Sequence, residues 1–308
     1  MTKKIKIKYL ETKNELYYSE LKIAFNNNEH LEIINETQGS DFIILGPGFL
    51  CDEWLQKNKD LPLHKLDKIK CLFLNKEYKN LNQKIEFINK NNIQIVFTAH
   101  HSFKEWNSRC PNATFYKIPF AYNQDTFTDY QEKKIYDLGF TGNLFNKGPY
   151  IGDEIMGKNF NNVRERIFHK IKTEPFYSNL QMFLGEDVYL KGKQYGKTIN
   201  SSKIWICTPS AIDLVGTRFY EIMGCNTLLL AKVIENENIY DGLFEEGKHF
   251  IGFKDDLSDF TEKVNYYLSN EAERVKITKS AYELVNTKHC WKHRVDKIVQ
   301  ILKEHDNE

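Results

Sequence analysis

The stretch Ser202-Lys203-Ile204-Trp205-Ile206-Cys207-Thr208-Pro209-Ser210-Ala211-Ile212-Asp213-Leu214-Val215-Gly216-Thr217-Arg218-Phe219-Tyr220-Glu221-Ile222-Met223-Gly224-Cys225-Asn226-Thr227-Leu228-Leu229-Leu230 reads as strand, loop, short helix, glycine stop and strand. Its apolar runs are strand-sized. The loop ends at Gly216-Thr217, where Thr217 is placed to cap a helix over Arg218 to Met223 and to leave main-chain N–H groups at its start. Arg218 in the first turn opposes the helix macrodipole. The misfit disappears if a diphosphate rests on that terminus, because amides and guanidinium then bind the same anion. The plain alternative is an exposed arginine whose stem lies on apolar surface.

Outward from this segment, short β-rich runs alternate with longer segments of helical period. Strands are expected at Ile5 to Tyr9, Asp41 to Leu45, Cys71 to Leu74, Ile93 to Thr98, Thr114 to Ile118, Leu138 to Thr141, Asp187 to Lys191, Ile204 to Cys207, Thr227 to Ala231 and His249 to Phe253. Helices are expected at Glu15 to Asn26, Leu81 to Lys90, Asn162 to Lys172, Arg218 to Met223, Leu257 to Leu268, Ala272 to Val285 and Trp291 to Lys303. Such alternation implies parallel sheets with helices on both faces. Of 16 glycines only Gly39, Gly46 and Gly48 precede Gly139. That shift, with the polar stretch Asp129 to Lys134, divides the chain into two Rossmann-like doubly wound α/β domains, 1–134 and 135–308, with the last helix free to cross back. Ligands bind at the carboxyl ends of strands in such sheets, so two domains facing each other would form a cleft.

Composition sets the outer bounds. The 308 residues are 41% hydrophobic and 28% charged, with 43 Lys and Arg against 42 Asp and Glu. A net charge of +1 gives no general pull toward nucleic acid or an anionic membrane. Only Arg109, Arg164, Arg166, Arg218, Arg274 and Arg294 are arginine, so each is a better functional candidate than any of the many lysines. The six cysteines lack C-x-x-C pairs, which disfavours a disulfide framework or structural zinc. Met1 to Lys8 reads as a first strand, not a signal peptide, and no apolar run approaches the ~18 residues of a membrane span. A cytoplasmic protein is expected, with peripheral membrane contact left open.

Nucleotide motifs narrow the choice. No G-x-x-x-x-G-K-[ST] is present, and Gly46-Pro47-Gly48 lacks the third glycine of a dinucleotide fingerprint, so it reads as a tight turn. No D-x-D occurs, so neither the carboxylate clamp of a metal-bound sugar nucleotide nor an essential metal is suggested. Glu221 lies one turn after Arg218, and Asp213 precedes it with seven residues between. A carboxylate there is placed to accept from a ribose diol, and an acid at the loop's start to hold sugar hydroxyls; a solvated helix-face Glu is the ordinary alternative.

These motifs resemble the C-terminal domain of GT-B glycosyltransferases, closest to the group 1 and spore-maturation-type families. The resemblance rests on the S-K-I strand, the acidic loop, R-F-x-E-x-M-G-C and the following apolar strand. It extends to Asp137-Leu138-Gly139-Phe140-Thr141-Gly142-Asn143, to Arg164 and Arg166, to Leu243-Phe244-Glu245-Glu246-Gly247-Lys248, and to His289-x-Trp291-x-x-Arg294. It covers roughly 135–300 and implies sugar transfer from a nucleoside diphosphate donor to an acceptor hydroxyl, with no cofactor. Asp213 replaces the first Glu of the family's E-x7-E element. By the resemblance, Glu221 contacts the ribose, while Arg218 and the Gly216 and Thr217 amides contact the pyrophosphate. Gly142 admits the phosphates, Arg166 or Lys203 adds positive charge, and Asp213 faces the sugar.

For the first domain, His100 and His101 follow a strand and are candidates for the reaction centre or as general base, against the alternative of two surface histidines. Lys76 and Glu77 are acceptor-side or base candidates at another strand end. Trp106, Tyr78 and Tyr122 are candidates for stacking on a sugar. The E-x7-E-like element favours a retaining reaction; an inverting one with His100, His101 or Glu77 as base stays open. The rivals are a nucleotide-sugar epimerase on the same fold and a catalytically silent sugar-binding partner subunit. The acceptor, whether glycan, lipid-linked sugar, protein or modified base, is left open.

Overall fold

The computed structural model describes residues 3–12, 18, 20–51, 57–58, 61–77, 79–101, 103–142, 163–185, 190–210 and 213–306. Tyr78, Asn143, the start of the Glu15 helix, Asn162 and most of the Asp187 to Lys191 strand lie outside them. Among the described residues, one compact unit holds those up to Phe120 and from Trp291 onward, and another those from Ala121 to Cys290. The polar stretch Asp129 to Lys134 therefore belongs to the second unit.

The first unit contains β1 (Ile5–Leu10), α1 (Leu21–Asn26), β2 (Leu31–Ile33), β3 (Phe42–Leu45), β4 (Ile69–Leu74), α2 (Leu81–Lys90), β5 (Ile95–Thr98), α3 (Lys104–Ser108) and β6 (Thr114–Lys117). Its sheet order is β2-β1-β3-β4-β5-β6, with every pair parallel. All four residues of β3 are buried, as strands covered on both faces require. Ile43, Leu45, Leu72, Leu74, Ile85, Ile88 and Val96 share one core beneath α2. The last helix, α9 (Trp291–Asp306), belongs here. Arg294 donates from Nε to the Pro119 carbonyl at 2.9 Å and from Nη2 to the Phe120 carbonyl at 2.9 Å, tying that helix to the end of the sheet.

The second unit contains β7 (Tyr136–Phe140), α4 (Val163–Thr173), β8 (Met182–Leu184), α5 (Gly192–Asn200), β9 (Ser202–Cys207), α6 (Thr217–Gly224), β10 (Leu228–Lys232), β11 (Ile251–Phe253), α7 (Phe260–Ser269) and α8 (Glu271–Lys288). Its sheet, again parallel, runs β11-β10-β9-β7-β8. Leu138, Ile204, Ile206, Leu228, Leu230 and Ile251 point into one core with Ile167 and Phe260. On the other face Trp205 is wholly buried, and its ring occupies the place a Cβ on Gly139 would need.

Helix α5 was not read from the sequence and α6 ends differently from the reading, each for a physical reason. Helix α5, Gly-Lys-Gln-Tyr-Gly-Lys-Thr-Ile-Asn, carries two glycines, which lower its helical propensity. It is held by tertiary contact: a Cβ on Gly196 would collide with the Thr126 carbonyl and the Tyr130 ring, so only glycine lets the helix lie this close. Gly224, read as the helix stop, is instead the last helical residue and packs against the Tyr122 ring. The chain turns two residues later, at Asn226 with φ +49°, a left-handed conformation asparagine tolerates. The short β8 lies before the strand expected at Asp187 to Lys191, of which only Leu190 and Lys191 are described, both irregular.

Candidate functional site

In the second unit β7 has β8 on one side and β9 on the other, so the order of strands reverses there. That switch point opens a crevice outside the carboxyl ends of β7 and β9. Thr141 and Gly142 follow β7, and Thr208 follows β9. Arg218, from the first turn of α6, donates from Nη1 to the Thr141 carbonyl at 3.1 Å. Arg164, from the first turn of α4, donates from Nε to Thr208 Oγ1 at 2.7 Å.

Gly142 lies between these arginines with φ +141°. A Cβ built on it would stand 3.2 Å from Arg218 Nη1 and 3.5 Å from Arg164 Nη1. Two guanidinium groups therefore converge on one stretch of bare main chain. Like charges this close repel, so the arrangement is most favourable with an anion against both. Helix α6 begins beside them. Its N-cap is Gly216, with Thr217 inside the helix and no side-chain capping bond, so the cap expected from Thr217 is absent. A Cβ on Gly216 would meet no described atom within 4 Å, which leaves the approach to the terminal amides open.

Glu221 is half-buried one turn after Arg218. The Cys207 thiol is pushed up to about 12 by burial, while Arg218 and Arg164 pull it down and Glu221 adds to the rise. All three charges are thus gathered around the end of β9. Tyr195, from α5, completes the group: its hydroxyl shares a 2.7 Å hydrogen bond with Thr141 Oγ1, and Arg218 sits 6.0 Å over its ring. Sequence reading missed Tyr195 and Thr141 in this role, and named Arg164 as one of the scarce arginines and through the resemblance.

Asp213 sits in a tight turn, with its amide donating to the Ser210 carbonyl at 3.0 Å and its φ at +53°. One carboxylate oxygen is 3.7 Å from Lys232 Nζ, which is 3.2 Å from Asp255. Arg166 joins the other end of this chain of charges, donating to the Asp255 carbonyl at 2.8 Å and to its carboxylate at 3.1 Å. Arg166 is therefore engaged with Asp255, and Arg164, two residues earlier, reaches Gly142. Lys203 is placed elsewhere too. It is the second residue of β9, at the amino end of the strand, and its Nζ donates to Asp137 at 2.7 Å. At about 3.3 Å per residue it lies some 13 Å from the carboxyl edge, too far to serve there.

In the first unit the candidates also gather at a carboxyl edge. His100 is 7% exposed, its ring stacked on His101 at 4.5 Å and tilted against Trp106 at 4.9 Å. His101 is half-buried and the more accessible of the two. Glu77 is 1% exposed, so it is an interior group and not an acceptor-facing one. Thr98 donates from Oγ1 to Glu77 at 2.7 Å and accepts from the His100 amide at 3.1 Å. Burial pushes the Glu77 carboxyl above the usual range, outweighing Thr98, its own main chain and the charge of Lys84. Lys76 adopts φ +50°, and its carbonyl, with that of Asn75, accepts from Lys84 Nζ at 2.8 Å. Gly46-Pro47-Gly48 is a turn, closed by the Phe49 amide donating to the Gly46 carbonyl at 3.0 Å. Trp106, and Tyr122 of the second unit, are buried packing residues, 4% and 3% exposed. Among the described residues no three His, Cys, Asp or Glu side chains gather as a metal site. Among those residues no helix is long and apolar enough to cross a membrane.

The geometry can be set beside known proteins. Residues 163–300 match a family described as glycosyl transferase-like. No curated protein matches the sequence. Among solved structures, HepE of Anabaena, crystallised with UDP-glucose, is similar over 97% of this chain and 100% of its own, with 12% identity and a TM-score of 0.62. Sucrose-phosphate synthase of Thermosynechococcus elongatus is similar over 96% and 80%, with 11% identity and a TM-score of 0.56. A complex of S. aureus TarM containing UDP is similar over 85% and 55%, with 13% identity and a TM-score of 0.52. The two parallel α/β units and these likenesses show a fold of the GT-B kind, and residues 163–300 resemble a glycosyl transferase-like domain.

Proposed function

We propose that the protein transfers a glycosyl group from a nucleoside diphosphate sugar to an acceptor hydroxyl. The observation that carries this reading is the convergence of Arg164 and Arg218 on Gly142 beside the start of α6. Two guanidiniums and a helix terminus suit a diphosphate, on which negative charge develops as the glycosidic bond breaks. HepE was crystallised with UDP-glucose, which favours a UDP-sugar as donor. Glu221 is assigned to the ribose and Asp213 to the sugar, on the sequence resemblance and their place near the same edge.

A retaining, metal-independent course fits Asp213 and Glu221 best. The bond from the anomeric carbon to the diphosphate oxygen breaks, the acceptor oxygen bonds to that carbon on the same face, and the acceptor proton passes to the leaving phosphate. His101, the more exposed of the pair, is assigned to the acceptor, with His100 behind it. A cytoplasmic place in glycan or surface polysaccharide synthesis completes the proposal.

The test is titration with UDP, GDP, CDP and dTDP by calorimetry, followed by incubation of the matching sugar nucleotides with glycan acceptors. Binding of one nucleotide and acceptor-dependent release of it support the reading. Conversion of the sugar nucleotide with no acceptor would make the protein an epimerase, and binding without turnover a silent partner subunit. No binding by any of the four nucleotides overturns the donor site itself.

A further inference from the structure

We propose that Tyr195 is a positioning residue that holds the Arg218 guanidinium where the diphosphate will lie, acting through its ring face. The inference rests on the donor-site reading above. Three contacts form a closed loop: the guanidinium carbon lies 6.0 Å from the Tyr195 ring centroid, the tyrosine hydroxyl bonds Thr141 Oγ1 at 2.7 Å, and the Thr141 carbonyl accepts from Arg218 Nη1 at 3.1 Å. A cation at this separation from an aromatic face is attracted by the ring quadrupole. Arginine has a long stem with many rotamers, and a donor fixed in advance binds more tightly than one that must be ordered on contact.

The ring itself is held. Trp205 meets it at 5.9 Å and 73°, and Phe127 at 6.0 Å and 89°, both edge-on. Helix α5, which carries it, is drawn close by Gly196 against the Thr126 carbonyl and anchored at its end by Asn200, whose Nδ2 donates to the Cys225 carbonyl at 2.6 Å. Burial pushes the phenol up to about 12, although the charge of Arg218 and the Thr141 hydrogen bond act against the rise. The ring is therefore neutral at physiological pH and attracts the guanidinium as an aromatic face, not as a phenolate.

The experiment replaces Tyr195 by phenylalanine and then by mono-, di- and trifluorophenylalanine, which empty the ring face of charge with little change in shape. The affinity for UDP, GDP, CDP and dTDP is measured in each, alone and in an Arg218→Ala background. The expected result is a stepwise loss for the nucleotide that binds tightest, about tenfold across the series, and a flat series when Arg218 is absent. Binding by the unmodified protein with a flat fluorination series would overturn the role of Tyr195 alone. So would an equal slope in the Arg218→Ala background, because the ring would then be acting without the guanidinium. Failure of the unmodified protein to bind any of the four sinks the donor-site reading and this proposal with it. A melting temperature for each variant shows that the comparison is made between folded proteins.

Discussion

Arg218 on α6 donates to the main-chain carbonyl of Thr141 at the end of β7, 3.1 Å away. A side chain from one crossover is thereby fastened to the neighbouring strand across the switch point of the sheet. The same guanidinium stands 3.2 Å from where a side chain on Gly142 would begin, so the glycine keeps the space in front of it clear.

Loss of either arginine is expected to weaken nucleoside diphosphate binding. Charge-assisted hydrogen bonds are worth about 1.5–3 kcal/mol, or roughly 10- to 100-fold in affinity. Calorimetry on Arg218→Ala and Arg164→Ala checks this, and the double variant should lose less than the sum because both groups serve one anion. Unchanged affinity in both single variants would remove the basis for the donor site.

Gly142→Ala and Gly139→Ala should fail in different ways. At Gly142 the new methyl meets Arg218 Nη1 and the backbone is at φ +141°, so binding should fall with a modest loss of stability. At Gly139 it would overlap the buried Trp205 ring. Overpacking of this kind destabilises by about 1–3 kcal/mol or more. Thermal melts and nucleotide titrations of the two variants separate the effects.

The Glu77 carboxyl is raised in the folded state by burial. A raised carboxyl binds its proton more firmly when folded than when unfolded. Its contribution is complete below the unfolded value near pH 4.5 and is lost as pH rises through the folded one. Stability of the wild-type protein should therefore carry a falling component from about pH 4.5 upward. Glu77→Gln, which cannot ionise, should lack it. Melting curves from below the unfolded Glu value up through neutral pH test this; an identical slope in both proteins counts against the buried acid.

Lys203→Met should leave nucleotide affinity unchanged, since its partner is Asp137 of β7, across the amino ends of the two strands. A part-exposed ion pair contributes about 0–1 kcal/mol, so the melting temperature should move little. A loss of binding comparable to that of Arg218→Ala would return Lys203 to the site.

Much of this was legible along the chain. The segment from Ser202 to Leu230 yielded β9, α6 and β10 because apolar runs of strand length and helical period are local patterns. Arg218 stood out because a cation in the first turn of a helix conflicts with its dipole, a conflict visible without coordinates. Leu81–Lys90 was found to the residue for the same kind of reason, a clear amphipathic period.

What the line of residues could not decide was which side chains meet across the fold. Arg166 and Lys203 were expected beside the phosphates, yet one turns to Asp255 and the other to Asp137, while Arg164 takes the place at Gly142. A shift of two residues along α4 redirects a side chain by more than half a turn, and no local pattern says which direction faces the sheet edge. Tyr195 was missed because two glycines lower the helical propensity of its segment and its partners Thr141 and Arg218 lie far away in the chain. Glu77 looked like an acid at an open strand end until the tertiary structure closed over it. The sequence by itself determined the parallel α/β scaffold and one arginine at a helix start, because periodicity and helix dipoles act over a few residues. Only the tertiary structure decided which groups converge, because convergence at a sheet edge depends on strand order and close packing between residues far apart in the chain.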